Sequence, residues 1–319
     1  MFESAEVGHS ISDREFDRSE LKLREALLKA QYDLLAQKSF PVIIVIGGVD
    51  GAGKGETVNI LNEWMDPRHI VTHAFGEMSD EERERPRMWR YWRALPPKGH
   101  IGILFGAWHT DPIVKRVMGE IENAQMELAT DEIVRFERML VDEGALILKF
   151  WFHLSKKAQA KRLKKLEADP KTRWRVTDTD WKRFKLYDKF RKVSEAALRQ
   201  TSTGHAPWIV VEGTDPNYRY LTVGRTLLDA LRERLAGRKR AVTEVASIPE
   251  PVLDGRTVLS SVDYGQKLTH KDYKRKIEKY QGELNLLTRH KKFFNRSLII
   301  VFEGLDAAGK GGSIRRITG

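Results

Sequence analysis

Apolar runs and amphipathic segments alternate along most of this chain. Continuous apolar runs of strand length predict buried β-strands at residues 42–46, 101–105, 145–154 and 208–212. Apolar positions with helical spacing lie between and around these runs, and they predict helices over residues 12–38, 130–142, 216–234 and 271–292. Buried strands that alternate with helices are typical of an α/β fold, in which a parallel sheet is covered by helices on both faces.

One sequence unit occurs twice. Residues 42–55 read VIIVIGGVDGAGKG, and residues 298–311 read LIIVFEGLDAAGKG. In both places an apolar run of strand length leads into a glycine-rich turn and then into the predicted start of a helix. A charged segment with helical spacing precedes each run. We interpret this pattern as the duplication of one structural unit.

A linker is predicted between the two copies. Residues 235–258 combine chain breakers with charge and show no periodicity. A length of 319 residues also favours more than one domain, because single domains usually have about 100–200 residues. We therefore predict a first domain at residues 1–236, a linker at 237–260 and the truncated start of a second domain at 261–319.

The glycine-rich turns match the pattern of the phosphate-binding P-loop, and each follows a predicted strand and precedes a predicted helix. Glycines let backbone N–H groups curl around phosphate oxygens, and the N-terminus of the helix favours the bound anion. Lys54 and Lys310 would add a mobile positive charge. The predicted phosphate-binding glycines are Gly48, Gly51, Gly53 and Gly55 in the first copy and Gly304, Gly309 and Gly311 in the second.

Both loops carry a carboxylate where phosphates are expected, at Asp50 and Asp306. The Ser or Thr that usually follows the P-loop lysine and binds Mg2+ is replaced by Gly55 and Gly311. An acid beside phosphates needs a cation or a proton between them. We therefore predict that the two aspartates hold a magnesium complex or help to deprotonate the attacking phosphate oxygen. A helix N-cap is the alternative role for these residues.

Composition narrows the class of protein. The formal net charge of +11 favours a polyanionic partner, although a solvated basic surface is an equal alternative. No nucleic-acid-binding motif is recognisable, so no specific nucleic acid is expected. The chain has no cysteine, its apolar runs are too short to cross a membrane, and its acidic N-terminus is unlike a signal peptide. We expect a cytoplasmic enzyme without disulfides, thiolate metal sites or a membrane partner.

Several motifs resemble the polyphosphate kinase 2 family, over residues from about 20 to the end of the chain. The loop GLDAAGKGG at 304–312 is similar to the P-loop of that family. Further similarities are FERMLVDEG at 136–144, LILKFWF at 146–152, EWMDPR at 63–68, RVMG at 116–119 and DPKTRW at 169–174. Two tandem copies resemble the subclass that makes ADP from AMP and polyphosphate with Mg2+.

The resemblance implies a P-loop kinase fold with a helical lid over a cationic channel for the phosphate chain. The implied lid or channel residues are Lys161, Lys165, Lys171, Arg173 and Arg175. They lie in a densely basic stretch, for which a solvated helix face is the alternative explanation. The implied cofactor is Mg2+, with the two loop aspartates as candidate ligands, and the implied partners are inorganic polyphosphate, AMP and ADP. Two modules would associate as a homo-oligomer or as an intramolecular pseudo-dimer.

The first copy departs from the family in the acidic Walker B segment. Active members have an aspartate followed by an arginine, whereas this chain has Gly106 and Ala107, in a segment that is one residue shorter. Asp111 could replace the lost ligand, although Asp-Pro is more often a turn. Loss of both groups would raise the barrier to phosphoryl transfer by several kcal/mol, on the order of a thousandfold in rate. We therefore predict a weak or inactive first domain, with catalysis by Asp306 and Lys310.

Three functions stay open from the sequence. The first is Mg-dependent phosphoryl transfer between polyphosphate and a nucleoside monophosphate, for which Asp50 and Lys54 are the catalytic candidates of the first copy. The second is an ATP-dependent nucleoside monophosphate kinase, which a comparison of phosphoryl donors would distinguish. In the third, the first domain is a non-catalytic scaffold or a polyphosphate-binding module.

Overall fold

The computed structural model of the protein describes residues 1–237, 265–304 and 308–318. The chain divides into two compact units, Met1–Val242 and Thr243–Gly319. Most of the predicted linker lies outside the described residues, and so does Asp306. Among the described residues, no helix is long and apolar enough to cross a lipid bilayer.

The first unit places helices on both faces of one sheet. Its strands are β1 (Val42–Gly48), β2 (Ile70–Ala74), β3 (Ile101–Phe105), β4 (Leu146–His153) and β5 (Trp208–Glu212). Its helices are α1 (Asp13–Gln37), α2 (Lys54–Trp64), α3 (Asp80–Arg83), α4 (Trp89–Trp92), α5 (Thr110–Met118), α6 (Asn123–Asp142), α7 (Lys156–Ala168), α8 (Asp178–Lys185), α9 (Tyr187–Thr201) and α10 (Pro216–Leu235).

Within the described residues the sheet has five parallel strands in the order β2-β3-β1-β4-β5. Val42 of the central strand β1 pairs with Ile101 of β3 on one side and with Leu146 of β4 on the other. Alternate residues of β1 belong to two separate cores, because Ile44 packs in one apolar cluster and Ile43 in the other. Since the strand order reverses at β1, its carboxyl end faces the crevice where open α/β sheets bind ligands.

The first nine residues form an N-terminal strap across the carboxyl ends of β4 and β5. Phe2 is buried and stacks on His153, with 4.5 Å between the ring centroids. His153 Nε2 lies 2.7 Å from the Glu6 carboxylate. The backbone N–H groups of Gly8 and His9 donate to the Glu212 carboxylate at 3.2 and 3.1 Å. The strap therefore covers the last residues of both strands.

Most of the predicted elements are present. The predictions for β3 and β5 agree with the structure residue for residue, and α1 begins after Ser12, whose hydroxyl accepts the Glu15 N–H at 3.3 Å. The start predicted for α6 was seven residues late, because a capping box of Glu122 and Gln125 begins the helix earlier. Strand β2 was not predicted, because it is an edge strand and Ile70 is its only buried residue.

The second unit contains α11 (His270–Thr288) and α12 (Lys310–Thr318) among its described residues. The strand predicted from the apolar run that begins at Leu298 was wrong. This segment has no strand pairing, and Ile299 and Val301 are 82% and 78% exposed. A strand needs a hydrogen-bonded neighbour, and the described part of this unit offers no other strand.

Candidate phosphate-binding site

The first glycine-rich loop lies tightly against the end of β4. The Val49 N–H donates to the Phe152 carbonyl oxygen at 3.0 Å, and a Cβ added to Gly48 would lie only 2.1 Å from the same oxygen. Gly48 also has a φ of 132°, where side chains are strongly disfavoured. Glycine is therefore required at the point where β1 turns into the loop.

Helix α2 begins directly at the loop lysine. Gly53 occupies the N-cap position in the left-handed conformation, and no side chain caps the helix, so its first N–H groups face the loop. The N-cap alternative for Asp50 was therefore wrong. Lys54 Nζ donates to the Gly48 and Val49 carbonyl oxygens at 2.8 and 2.9 Å. Burial lowers the pKa of Lys54, and the nearby Asp50 carboxylate opposes this shift.

The Asp50 carboxylate lies between two cations. Its Oδ1 atom is 3.8 Å from Lys54 Nζ, and its Oδ2 atom is 3.7 Å from Arg183 Nη1. Gln159 of α7 donates to the Asp50 carbonyl oxygen at 3.0 Å. Helices α7 and α8 thus both reach the loop.

A buried guanidinium supports the other side of the loop. Arg219 of α10 is 3% exposed and donates to Thr57 Oγ1, to the Gly213 carbonyl oxygen and to the Glu56 carboxylate at 3.0, 2.8 and 2.8 Å. A Cβ added to Gly53 would lie 2.2 Å from Arg219 Cζ. The guanidinium therefore packs directly against the loop glycine and fixes the start of α2.

Glu56 joins α7 to the core of the first unit. One carboxylate oxygen accepts from Arg219 of α10, and the other accepts from Arg162 of α7 at 2.7 Å. The Arg162 side chain also lies close to the loop. Its Cγ atom would be 3.4 Å from a Cβ added to Gly51. Helices α2, α7 and α10 are thereby linked through a single carboxylate.

A cavity of about 280 Å³ opens beside the loop, between the carboxyl ends of the strands and helices α5, α8 and α9. Its polar end is formed by Asp50, Lys54 and Arg183. The rest of the wall is largely apolar and includes Phe105, Val114, Met118, Leu186 and Phe190. The site can therefore accept a group with an anionic end and an apolar end.

The segment after β3 provides no carboxylate to this cavity. Gly106 has a φ of 60°, and an added Cβ would lie 2.6 Å from the Phe75 carbonyl oxygen. Asp111 lies in the first turn of α5, where its carboxylate pairs with Lys115 at 2.9 Å. Across the described ranges, no group of three His, Cys, Asp or Glu side chains is arranged to hold a metal ion.

A buried cluster of charged groups holds that segment in place. The Glu137 carboxylate accepts from Lys149 Nζ at 2.7 Å and from Trp108 Nε1 at 3.0 Å, and it lies 3.1 Å from His109 Nε2. Lys149 Nζ also donates to the Thr201 carbonyl oxygen at 2.6 Å. Burial opposes ionisation of Glu137, yet the neighbouring His109 and Lys149 hold its pKa below the usual range. The cluster connects β4, α6 and the end of α9.

The chain matches the polyphosphate kinase 2 family over residues 10–239 and 267–319. These residues are well over half of the chain.

The chain belongs to the polyphosphate kinase 2 family. It is 53% identical over its full length to a polyphosphate:AMP phosphotransferase of Pseudomonas aeruginosa, and 47% identical over 99% of its length to one of Pseudomonas syringae pv. tomato. The chain spans 64% of the length of each of these relatives. A solved structure described as a polyphosphate kinase 2 from Pseudomonas aeruginosa superimposes with a TM-score of 0.83 at 50% identity, over the whole chain and 62% of that structure.

The described residues on either side of the second glycine-rich sequence share local features with the first loop. Lys310 begins α12 as Lys54 begins α2, and its Nζ donates to the Gly304 carbonyl oxygen at 2.6 Å. Gly304 and Gly309 have φ values of 151° and 83°, close to the 132° and 81° of their counterparts Gly48 and Gly53. Gly311 follows in the helix, as Gly55 does in the first copy. Asp306 lies outside the described residues.

Four of the five predicted lid or channel residues do not line the cavity. Those with described side chains are exposed on α7 or in the segment that follows it: Lys161, Lys165, Lys171 and Arg173. For Arg175 only the backbone is described, in the short 3-10 helix Arg173–Arg175. A role for these five residues in a phosphate channel stays a prediction.

Sequence reasoning missed three side chains that contact the loop, namely Gln159, Arg183 and Arg219. Arg183 and Gln159 belong to a stretch so rich in charge that no single residue stands out. Arg219 lies more than 160 residues after the loop in sequence, and only the fold brings it to Gly53. Its one sequence signal is its position in a predicted apolar helix that follows the last strand.

Proposed function

We propose that the protein transfers a phosphoryl group from inorganic polyphosphate to AMP and thereby forms ADP. The names of the two Pseudomonas relatives support this reaction. The observation that carries the proposal is the loop geometry shared by Lys54 and Lys310, in which a glycine-dependent turn presents a lysine at the start of a helix. Such a turn binds phosphate through backbone N–H groups and the helix N-terminus.

In this reaction an oxygen of the AMP phosphate attacks the terminal phosphorus of the polyphosphate chain. A new P–O bond forms, a bridging P–O bond breaks, and the chain leaves one phosphate shorter. Catalysis of such a transfer consists mainly of positioning and of neutralising charge on the phosphoryl oxygens. We assign the positioning to the N–H groups at the start of α12, and the neutralisation to Lys310.

We further propose that residues 261–319 begin a second copy of the module and that this copy carries most of the catalysis. Asp306 is the proposed carboxylate for Mg2+, which would add positive charge beside the phosphate oxygens when bound. The residues around Asp50 do not fit this ion, because that carboxylate is shared by Lys54 and Arg183. A homo-oligomer or pseudo-dimer of two modules and a cytoplasmic location stay proposals from the sequence.

A non-catalytic, polyphosphate-binding role for the first module is the second candidate. It is favoured by the segment after β3. A Cβ added to Gly106 would lie 2.6 Å from the Phe75 carbonyl oxygen, and the Asp111 carboxylate pairs with Lys115. Both proposals can hold for one protein, with binding in the first module and transfer in the second. An ATP-dependent kinase stays as a third possibility.

The test is ADP formation from AMP, polyphosphate and Mg2+ by a protein that carries the complete second module. We expect Lys310→Ala to lower kcat about a hundredfold or more, since it removes a charge that stabilises the transition state. Lys54→Ala should keep most of the activity, and Lys22→Ala, an exposed change on α1, should keep all of it.

Robust turnover by Lys310→Ala that is lost in Lys54→Ala would reverse the assignment of catalysis. Replacing polyphosphate by ATP in the same assay tests the other donor. Faster ADP formation with ATP than with polyphosphate would favour the nucleoside monophosphate kinase.

A further inference from the structure

The first P-loop contains more positive than negative charge at its centre. One carboxylate, Asp50, faces two cationic side chains, Lys54 and Arg183, at 3.8 and 3.7 Å. Both distances exceed those of a charge-assisted hydrogen bond, which is about 2.7–2.9 Å. The two cations are therefore close enough to neutralise Asp50 but make no short hydrogen bond to it. Lys54 Nζ is held by the Gly48 and Val49 carbonyl oxygens, whereas Arg183 can turn towards an arriving phosphate oxygen.

Magnesium requires a different set of groups. It takes about six oxygen ligands and usually binds proteins through one or two carboxylates together with substrate phosphates. In the first module the position after the P-loop lysine is Gly55, the segment after β3 begins with Gly106, and Asp111 is paired with Lys115. Glu56 is paired with Arg162 and Arg219, and among the described residues that line the cavity Asp50 is the one carboxylate. A dication placed there would be repelled by the guanidinium of Arg183.

We infer that the first P-loop binds a phosphate chain with its own cations and without a metal ion, and that Arg183 takes the place of the metal. This inference rests on the proposed function, since it assumes that polyphosphate is the anion that reaches the loop. Asp50 then has the opposite effect from a metal ligand. It holds Lys54 and Arg183 in position while the site is empty, and it weakens the binding of the phosphate chain by repulsion.

Arg183 is well placed for this role. It lies on α8, is 54% exposed and lines the cavity together with Asp50 and Lys54. Its neighbour Lys182 is also exposed on α8 but does not line the cavity. The pair offers a matched comparison, because each substitution by glutamine removes one positive charge from the same helix.

The test measures tripolyphosphate binding by isothermal titration calorimetry, in EDTA and in Mg2+ at equal ionic strength. The full chain is used with Lys310→Ala, so that the lysine of the second loop does not contribute. We expect binding in EDTA, a Kd about threefold to tenfold lower for Asp50→Asn and about tenfold higher for Arg183→Gln. Lys182→Gln should change the Kd by less than about twofold.

The sign of the Asp50→Asn effect decides between the two models. The inference would be overturned in favour of a metal site by two results together. Asp50→Asn would bind tripolyphosphate more weakly in Mg2+, and the chain with Asp50 intact would not bind it in EDTA. Equal effects of Arg183→Gln and Lys182→Gln would also overturn it, because only general charge would then matter. Failure of the proposed function is a separate result, namely no ADP formation by the complete protein, whatever the first loop binds.

Discussion

At the residue scale, the backbone at Gly106 leaves little room for a side chain. Active family members are expected to have an acid in this segment, but the backbone at Gly106 has a φ of 60° and lies against the Phe75 carbonyl. The left-handed conformation alone is tolerated by Asp better than by most residues. The close backbone oxygen is therefore the stronger reason for glycine at this position.

We predict that Gly106→Asp will not restore catalysis to the first module. The new side chain would clash with Phe75, so the free energy of unfolding should fall by about 1–3 kcal/mol. Gly144→Asp is the matched control, because Gly144 has a φ of 93° and nothing lies within 4 Å of an added Cβ. Urea unfolding compares the two variants. A Gly106→Asp chain as stable as the control, with new activity that depends on Lys54, would contradict the prediction.

At the scale of elements, the N-terminal strap lies outside the part of the chain that matches the family, which begins at residue 10. Its contacts are nevertheless those of a core element, since Phe2 is 1% exposed and packs on His153 and Trp151. The strap covers the ends of the strands that support the P-loop, so it should add stability to that edge of the sheet.

Phe2→Ala should lower the free energy of unfolding by about 3–5 kcal/mol, as expected for the loss of a buried aromatic side chain. Val7→Ala, at a residue of the same strap that is 66% exposed, should change it by less than about 0.5 kcal/mol. All eight tryptophans lie at or before residue 208, so their fluorescence during urea unfolding reports on the first unit. Equal stability of the two variants would show that the strap is not part of the core.

The elements also show what sequence patterns can predict. Strand β3 is buried and therefore appears in the sequence as a continuous apolar run, so it could be predicted. The edge strand β2 has no such run and was not predicted. The glycine-rich turn before α2 was predicted because its glycines follow a local spacing that the sequence shows directly. Arg183 and Arg219 were not, because their contacts with the loop depend on how distant helices pack.

At the scale of the whole molecule, stability should depend on pH through two histidines. Burial lowers the pKa of His109 and of His153 from 6.5, although nearby glutamates oppose the shift. Each therefore binds fewer protons in the folded chain than in the unfolded chain. Their contribution to stability is complete above about pH 6.5 and is lost as the pH falls below that value.

We expect the free energy of unfolding to be lower at pH 5.5 than at pH 7.5, with a slope of up to about 1.4 kcal/mol per pH unit for each histidine. His153→Gln should make this slope shallower, whereas His270→Gln, at an exposed residue of α11, should leave it unchanged. Urea unfolding at pH 7.5, 6.5 and 5.5 measures the slopes. An unchanged slope for His153→Gln would exclude this residue as a source of the pH dependence.

The contact between Gly106 and Phe75 also has a consequence for the history of the chain. An acid at this position would be accommodated only if the segment that carries Phe75 moved as well, so two separate regions of the chain would have to change together. A module of this kind that came to need an acid here would therefore require a change near Phe75 before, or together with, the change at Gly106.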